Sequence, residues 1–102
     1  MRLGRVLGRV TLNRAVPSLT GGRWLIVAPF HQEQFRTFET AAETRSAEPS
    51  AVVYDDIGGG VGDAIGYVEG REAAVPFDQP TPVDAYCAAI IDRVNHYQKS
   101  KP

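Results

Sequence analysis

The stretch DDIGGGVGDAIGYVEG (residues 55–70) places six glycines in sixteen positions. Four of them, Gly58, Gly59, Gly60 and Gly62, fall within five residues. Glycine lets a chain turn through positive φ or lets its backbone approach another surface, at a cost in chain entropy. Three uses fit such a stretch: a phosphate cradle, a turn between strands, or close contact with a neighbouring chain. The first fails on its parts. A P-loop follows its glycines with Lys and Ser or Thr, whereas Asp63 and Ala64 follow Gly62. A dinucleotide fingerprint opens a helix, whereas AIGYVE (64–69) reads as a strand. Asp55, Asp56 and Asp63 also bring negative charge that repels phosphate. Spacing does not separate the other two uses.

Outward from this stretch the chain is dominated by short strands. AVVYDD (51–56) precedes it as one strand and AIGYVE follows as another. Residues 2–12 alternate, with Gly4, Val6, Gly8, Val10 and Leu12 on one face and Arg5, Leu7, Arg9 and Thr11 on the other, which predicts a strand. Two glycines on its inner face suggest a coiled strand at a barrel corner. NRAVPSLTGG is a loop, and RWLIVAPF (23–30) is nearly all apolar, as in a strand covered on both faces; Pro29 stops it or places it at an edge. Residues 31–50 are polar, with Phe35 and Phe38 as the large apolar exceptions, and read as an excursion between strands. GREAAVPFDQPTP is a connection with one helical turn at 72–74. VDAYCAAIIDRVNHY reads two ways. Thr81 can cap a helix with Pro82 at its first position and Asp84 at its third, giving a stripe of Val83, Tyr86, Cys87, Ile90, Val94 and Tyr97. As a strand, Cys87, Ala89 and Ile91 face one way and Ala88 and Ile90 the other.

The totals bound the answer. The 102 residues suit one domain, taken as residues 1–97 with a frayed tail at 98–102. A chain this short buries about two thirds of its unfolded surface, so a partner subunit helps it. Eleven basic and twelve acidic residues leave a net charge of −1, which argues against nucleic-acid binding through bulk charge. The single cysteine, Cys87, excludes an intramolecular disulfide. No apolar run approaches a membrane span and the N-terminus lacks a signal-like apolar region; the expectation is a soluble cytoplasmic protein without membrane contact. Arg2, Arg5, Arg9, Arg14 and Arg23 bias the N-terminal quarter towards basic, which reads as a solvated strand face or a contact surface. His31 and His96 read as surface residues, Cys87 as a small buried thiol, Asp84 as a helix N-terminal carboxylate, and Trp24 as core or interface. Asp92, interrupting an apolar strand, is expected to pair with a cation of a neighbour.

Three motifs in order carry a resemblance. Val6, Gly8 and Val10, then Pro17, Ser18, Leu19 and Gly21 leading into Leu25, Ile26 and Val27, resemble the start of the bacterial microcompartment vertex proteins, the pentamers of carboxysome and ethanolamine-utilisation shells. Asp56, Ile57, Gly58, Gly59, Gly60, Val61, Gly62 and Asp63 resemble the glycine run of that family, and Pro82, Val83, Asp84, Ala85, Ala89, Ile90, Ile91, Asp92 and Val94 resemble its closing pattern. The likeness spans roughly residues 3–94. Two departures stand out: Ala15 replaces a frequent lysine, and Gly70-Arg71-Glu72-Ala73-Ala74 stands where the family usually reads Gly-Ser-Ser-Ala-Arg.

The resemblance implies a mainly β fold: a five-stranded OB-like barrel with one or two short helical turns, assembling as a cyclic pentamer. It implies a helical turn at 82–85 followed by a strand. It implies a structural, non-enzymatic role with no cofactor: capping the five-fold vertices of a polyhedral shell, with hexameric and pseudohexameric shell proteins as further partners. The interface residues expected on this basis are Trp24, Ile26, Gly58, Gly59, Gly60, Val61, Gly62, Asp84, Ile90 and Asp92. Two other classes fit the residues less well. An OB-type module for single-stranded nucleic acid needs aromatic platforms in a basic groove, and no aromatic residue interleaves with Arg5 and Arg9. An enzyme needs a catalytic set, and no Ser/Cys–His pairing or metal-ligand spacing is present.

Overall fold

The computed structural model describes residues 1–30 and 50–95. Five strands run in the order β1 (Arg2–Val10), β2 (Arg23–Pro29), β3 (Ala51–Asp55), β4 (Ala64–Glu69) and β5 (Ala85–Ile91). They close into a barrel in the order β1-β2-β3-β5-β4, with β4 returning to β1. All pairings are antiparallel except β3 with β5, which meet in parallel at Tyr54 and Tyr86. This is the mainly β, five-stranded barrel that the resemblance implies. The β3–β5 seam that closes the barrel is a single bridge, between Tyr54 and Tyr86. The segment 31–49 with Phe35 and Phe38, both histidines, Tyr97 and the tail expected to fray lie outside the described residues.

The barrel is filled by inward side chains from every strand: Val6, Leu25, Val27, Val53, Ile65, Tyr67, Ala85 and Cys87. Burying an aliphatic side chain of this size contributes about 1.5–3 kcal/mol. Gly4 is required where β1 crosses β2, since a side chain there would collide with Val27. A second cluster lies on the outer wall. Tyr54 contacts Trp24, Phe77 and Tyr86 with ring centroids 5.2, 5.3 and 6.2 Å away, and Ala73 and Val83 bury beside it. The segment that departs from the family pattern supplies this cover: Gly70–Ala74 forms a 3₁₀ turn that buries Ala73 and leads to Phe77. The outer side of β2 at Trp24 is therefore covered by the chain's own rings, not only by a neighbour.

Two bulges overturn the simple alternation read from the sequence. On β1, Val6 pairs with Val27 but Gly8 pairs with Ile26, so Leu7 is left unmatched. Val6 therefore shares the inward face with Val27, whereas Gly8 and Val10 share the outward face with Ile26 and Trp24. On β5, Cys87 pairs with Tyr67 and Ala89 with Gly66, leaving Ala88 unmatched. Cys87 and Ile90 thus stand beside the inward pair Tyr67 and Ile65. An extra residue in one strand flips the side-chain parity beyond it and bends the strand, which helps a five-stranded sheet close.

The ends of the elements also differ from expectation. β1 stops at Val10 and Leu12 lies beyond it, exposed. No helix forms at 82–85: Asp84 occupies a bend, and Thr81 Oγ1 donates to the Gln79 carbonyl instead of capping. The Asp84 carbonyl accepts the Gly70 N–H at 2.8 Å, tying the end of β4 to the start of β5. A 3₁₀ turn at Pro17–Leu19 lies in the loop before β2.

Candidate functional site

The glycine stretch is the connection from β3 to β4, and its conformation is set by two carboxylates. Asp55 is fully buried. Its Oδ1 accepts the Ile57 N–H at 3.2 Å, and its Oδ2 accepts those of Gly58 at 3.2 Å and Gly59 at 2.8 Å. Asp63 Oδ2 accepts the Gly60 N–H at 2.9 Å, and the Asp63 N–H returns to the Gly60 carbonyl at 3.0 Å. Four successive amides that could face an anion therefore face the chain's own carboxylates. The phosphate reading fails for this reason as well as for charge repulsion.

The glycines divide the work. Gly58 and Gly62 have φ of +97° and +93°, a region that side chains disfavour. Gly62 is the third residue of the Gly60–Asp63 turn, where a positive φ selects glycine. Gly59 is buried, and a β-carbon there would stand 3.0 Å from Leu25 Cδ1, so this glycine lets the loop lie on the core. Gly60 is different. A β-carbon would meet only Asp63 Oδ2, at 3.8 Å, among the described residues, so none of them demands glycine there.

The loop is anchored to β1. Gly62 N–H donates to the Val6 carbonyl at 2.9 Å, Val6 N–H donates to the Asp63 carbonyl at 2.8 Å, and Arg5 Nη1 donates to the Gly62 carbonyl at 3.1 Å. Arg5, read from the sequence as part of a solvated face, is buried, with the Phe30 ring centroid 5.3 Å from its guanidinium carbon. Burial pushes its pKa down, and the nearby Asp63 carboxylate acts in the opposite direction. The loop is thus a stiff projection. Its tip exposes Ile57 and Val61, the latter to 66%.

The other residues singled out from the sequence fall in several places. Trp24 and Ile26 lie half-buried on the outer wall of β2, and Val52 on the adjacent strand, paired with Ile26, is half exposed. Ile90 is exposed near the end of β5. Asp84 and Asp92 are both exposed; Asp84 is not at a helix terminus, and Asp92 follows the last strand instead of interrupting it. Sequence reasoning missed Val52, which strand parity alone places on an outer face, and Asp55 as the organiser of the loop. A signal for the latter was present: an aspartate just before a glycine run commonly accepts the amides ahead of it.

Cys87 is fully buried, and burial together with nearby Asp55 pushes its thiol up to about 12. Tyr86 donates to Asp56 at 2.9 Å, and burial and that bond raise its phenol to about 12. Both groups stay protonated at neutral pH. Among the described residues there is no cluster of three or more His, Cys, Asp or Glu side chains able to hold a metal, and no helix is long and apolar enough to cross a membrane.

A closed wall, a stiffened glycine loop and apolar side chains left open around both define a small β-barrel assembly module. The chain belongs to the family described as ethanolamine utilisation protein EutN/carboxysome, which matches residues 1–92. No curated protein matches it. Among solved structures, CcmL from Gloeobacter violaceus is 27% identical, with a TM-score of 0.73 over 94% of this chain and 90% of the other. The GrpN pentameric microcompartment shell protein from Rhodospirillum rubrum is 26% identical, with a TM-score of 0.73 over 95% of this chain and 100% of the other. The ethanolamine utilization protein EutN from Escherichia coli shares the fold at 24% identity, with a TM-score of 0.74 over 94% of this chain and 89% of the other.

Proposed function

We propose that this chain is a vertex protein of a bacterial microcompartment shell, acting as a closed ring of five identical copies. The observation that carries the reading is the family match over residues 1–92, on a barrel that resembles a pentameric shell protein along its whole length. The role is structural and calls for no cofactor. Its location is the shell of a cytoplasmic compartment, and its further partners are the hexameric and pseudohexameric proteins that tile the facets. A five-fold ring fills the gap left where hexagonal tiles close around a vertex.

A cyclic ring is built from a heterologous interface, in which one patch of a chain meets a different patch of the next. The exposed apolar residues supply two. One is the outer wall of β2 and β3, with Trp24, Ile26 and Val52. The other is the glycine loop with Ile57, Gly60 and Val61. Ile90, Asp84 and Asp92 are exposed and available at the margins. Closure at five requires a fixed angle between patches, and the carboxylates of Asp55 and Asp63 fix the loop relative to the wall. Residues 1–97 act as the single domain in this arrangement.

Native mass spectrometry of the purified full chain tests the reading. Five copies of an 11.1 kDa chain give a species of about 55 kDa. A stable monomer at micromolar concentration overturns it.

A further inference from the structure

The first thirty residues carry five arginines and no acidic residue, while the remaining six basic residues share the rest of the chain with all twelve acidic ones. The fold sorts these five arginines. Arg2 pairs with Glu69 at 3.6 Å on the surface. Arg5 is buried under Phe30 beside the glycine loop. Arg9, Arg14 and Arg23 converge on one cleft of about 480 Å³ between the end of β1, the connection that follows it and the start of β2. Thr11, Asn13 and Thr20 add polar groups, Trp24 forms part of the wall, and no acidic residue among the described residues lines the cleft. Arg23 is the register partner of Asp55, but that carboxylate is turned into the loop amides. None of the three arginines forms an ion pair with any described residue.

Three like charges around one cleft raise its positive potential, which a bound anion relieves. Three guanidinium groups, each a planar fork of donors, match the oxygens of phosphate or carboxylate groups. The cleft volume lies within the range of about 300–1,000 Å³ typical of small-molecule sites. The Asn13 amide and the hydroxyls of Thr11 and Thr20 complete the polar lining, and the indole offers a flat apolar surface. We propose that this cleft is a binding site for a small oxyanion carrying at least two negative charges, such as a phosphate ester or a polycarboxylate. Occupancy neutralises the three arginines and couples the β1–β2 connection to Trp24. The lining residues all come from one chain, and Trp24 is the one that the vertex reading also places at a subunit contact.

Trp24 is the only tryptophan, so its fluorescence reports on the cleft directly. The full-length protein is titrated with inorganic pyrophosphate and, separately, with citrate, at constant ionic strength, with calorimetry in parallel. The expected result is saturation at ligand concentrations below about 1 mM for at least one of them, and the two arms tell a phosphoryl ligand from a carboxylate one. Arg14→Gln with Arg23→Gln weakens binding by about tenfold or more, while the melting temperature and oligomeric state stay as in the parent. These arginines are exposed, so the pair is expected to fold. Absence of saturation by either ligand up to about 10 mM, or equal binding by the double variant, overturns the proposal. A pentamer that does not bind, or a monomer that does, separates failure of this site from failure of the vertex reading.

Discussion

Replacing Asp55 with alanine removes the carboxylate that holds three of the four loop amides bound by side chains. Its carboxylate is fully buried and accepts three backbone N–H groups. A hydrogen bond to a charged group contributes about 1.5–3 kcal/mol net, and an unsatisfied buried donor costs about 1–3 kcal/mol. The three bonds do not count equally. Gly59 is buried, so its amide loses its partner without gaining water. Ile57 and Gly58 are exposed, and their amides rehydrate once the carboxylate is gone. Counting the Gly59 bond in full and the other two at the low end places the loss at about 4.5–6 kcal/mol. Asp55→Asn keeps one acceptor oxygen but turns an N–H₂ group towards amide donors, and about half that loss is expected. Chemical denaturation of the full chain, at one fixed protomer concentration because assembly shifts apparent stability, measures both. A domain of this size has about 5–15 kcal/mol in total, so the alanine variant is close to unfolding and its loop no longer presents Gly60 and Val61 for assembly. If Asp55→Ala lies within about 0.5 kcal/mol of the parent, the reasoning that the buried carboxylate holds the loop is wrong.

Gly60 tolerates a β-carbon within the chain, so Gly60→Phe is expected to leave far-UV circular dichroism unchanged while native mass spectrometry loses the pentamer; intact pentamers show that the loop is not an interface. Gly22→Ala acts oppositely, because a β-carbon there overlaps the Tyr54 ring. It is expected to destabilise the fold by about 1–3 kcal/mol, and an unchanged near-UV spectrum and melting temperature contradict the packing described. Cys87 is expected to resist a thiol reagent at pH 8 in the native protein and to react fully in denaturant; rapid stoichiometric labelling of the native protein refutes its burial. The sign of its linkage is set by a folded pKa of about 12 against an ordinary 9.0. The folded state holds the proton more tightly, so this contribution is complete below about pH 9 and is lost as the pH rises towards 12. Cys87→Ala removes that component of the alkaline destabilisation, and an unchanged pH dependence between pH 9 and 12 in the variant contradicts the assignment.

Much of the barrel was legible because apolar runs and turn residues act locally. The strands at 51–55, 64–69 and 23–29 coincide with their apolar segments to within a residue or two. The glycine run is a connection between strands, as its flanks implied. The faces of β1 and β5 were not legible. The bulges at Leu7 and Ala88 depend on which residue of the opposing strand comes into register, and no local pattern encodes that choice. The helical stripe through Val83, Tyr86 and Cys87 misled for a related reason. Apolar residues on both sides of a strand mimic a helix when the second side is covered, and Tyr86 lies against Tyr54 and Phe77 on the outer wall. Arg5 carries a charge whose surroundings, Gly62 and Phe30, come from distant segments, so its burial could not be read from its neighbours in the chain.

The amino-acid sequence alone determined the class of fold, the family and the position of its stiff loop, because strand periodicity, turn chemistry and ordered motifs reside in short stretches. Tertiary structure decided which amides Asp55 would hold, which glycines bear on the core and which tolerate a side chain. It also decided that three arginines separated by up to fourteen positions would face one cleft. Those outcomes depend on barrel closure, which brings remote segments within hydrogen-bonding and packing distance and commits each strand to a single register.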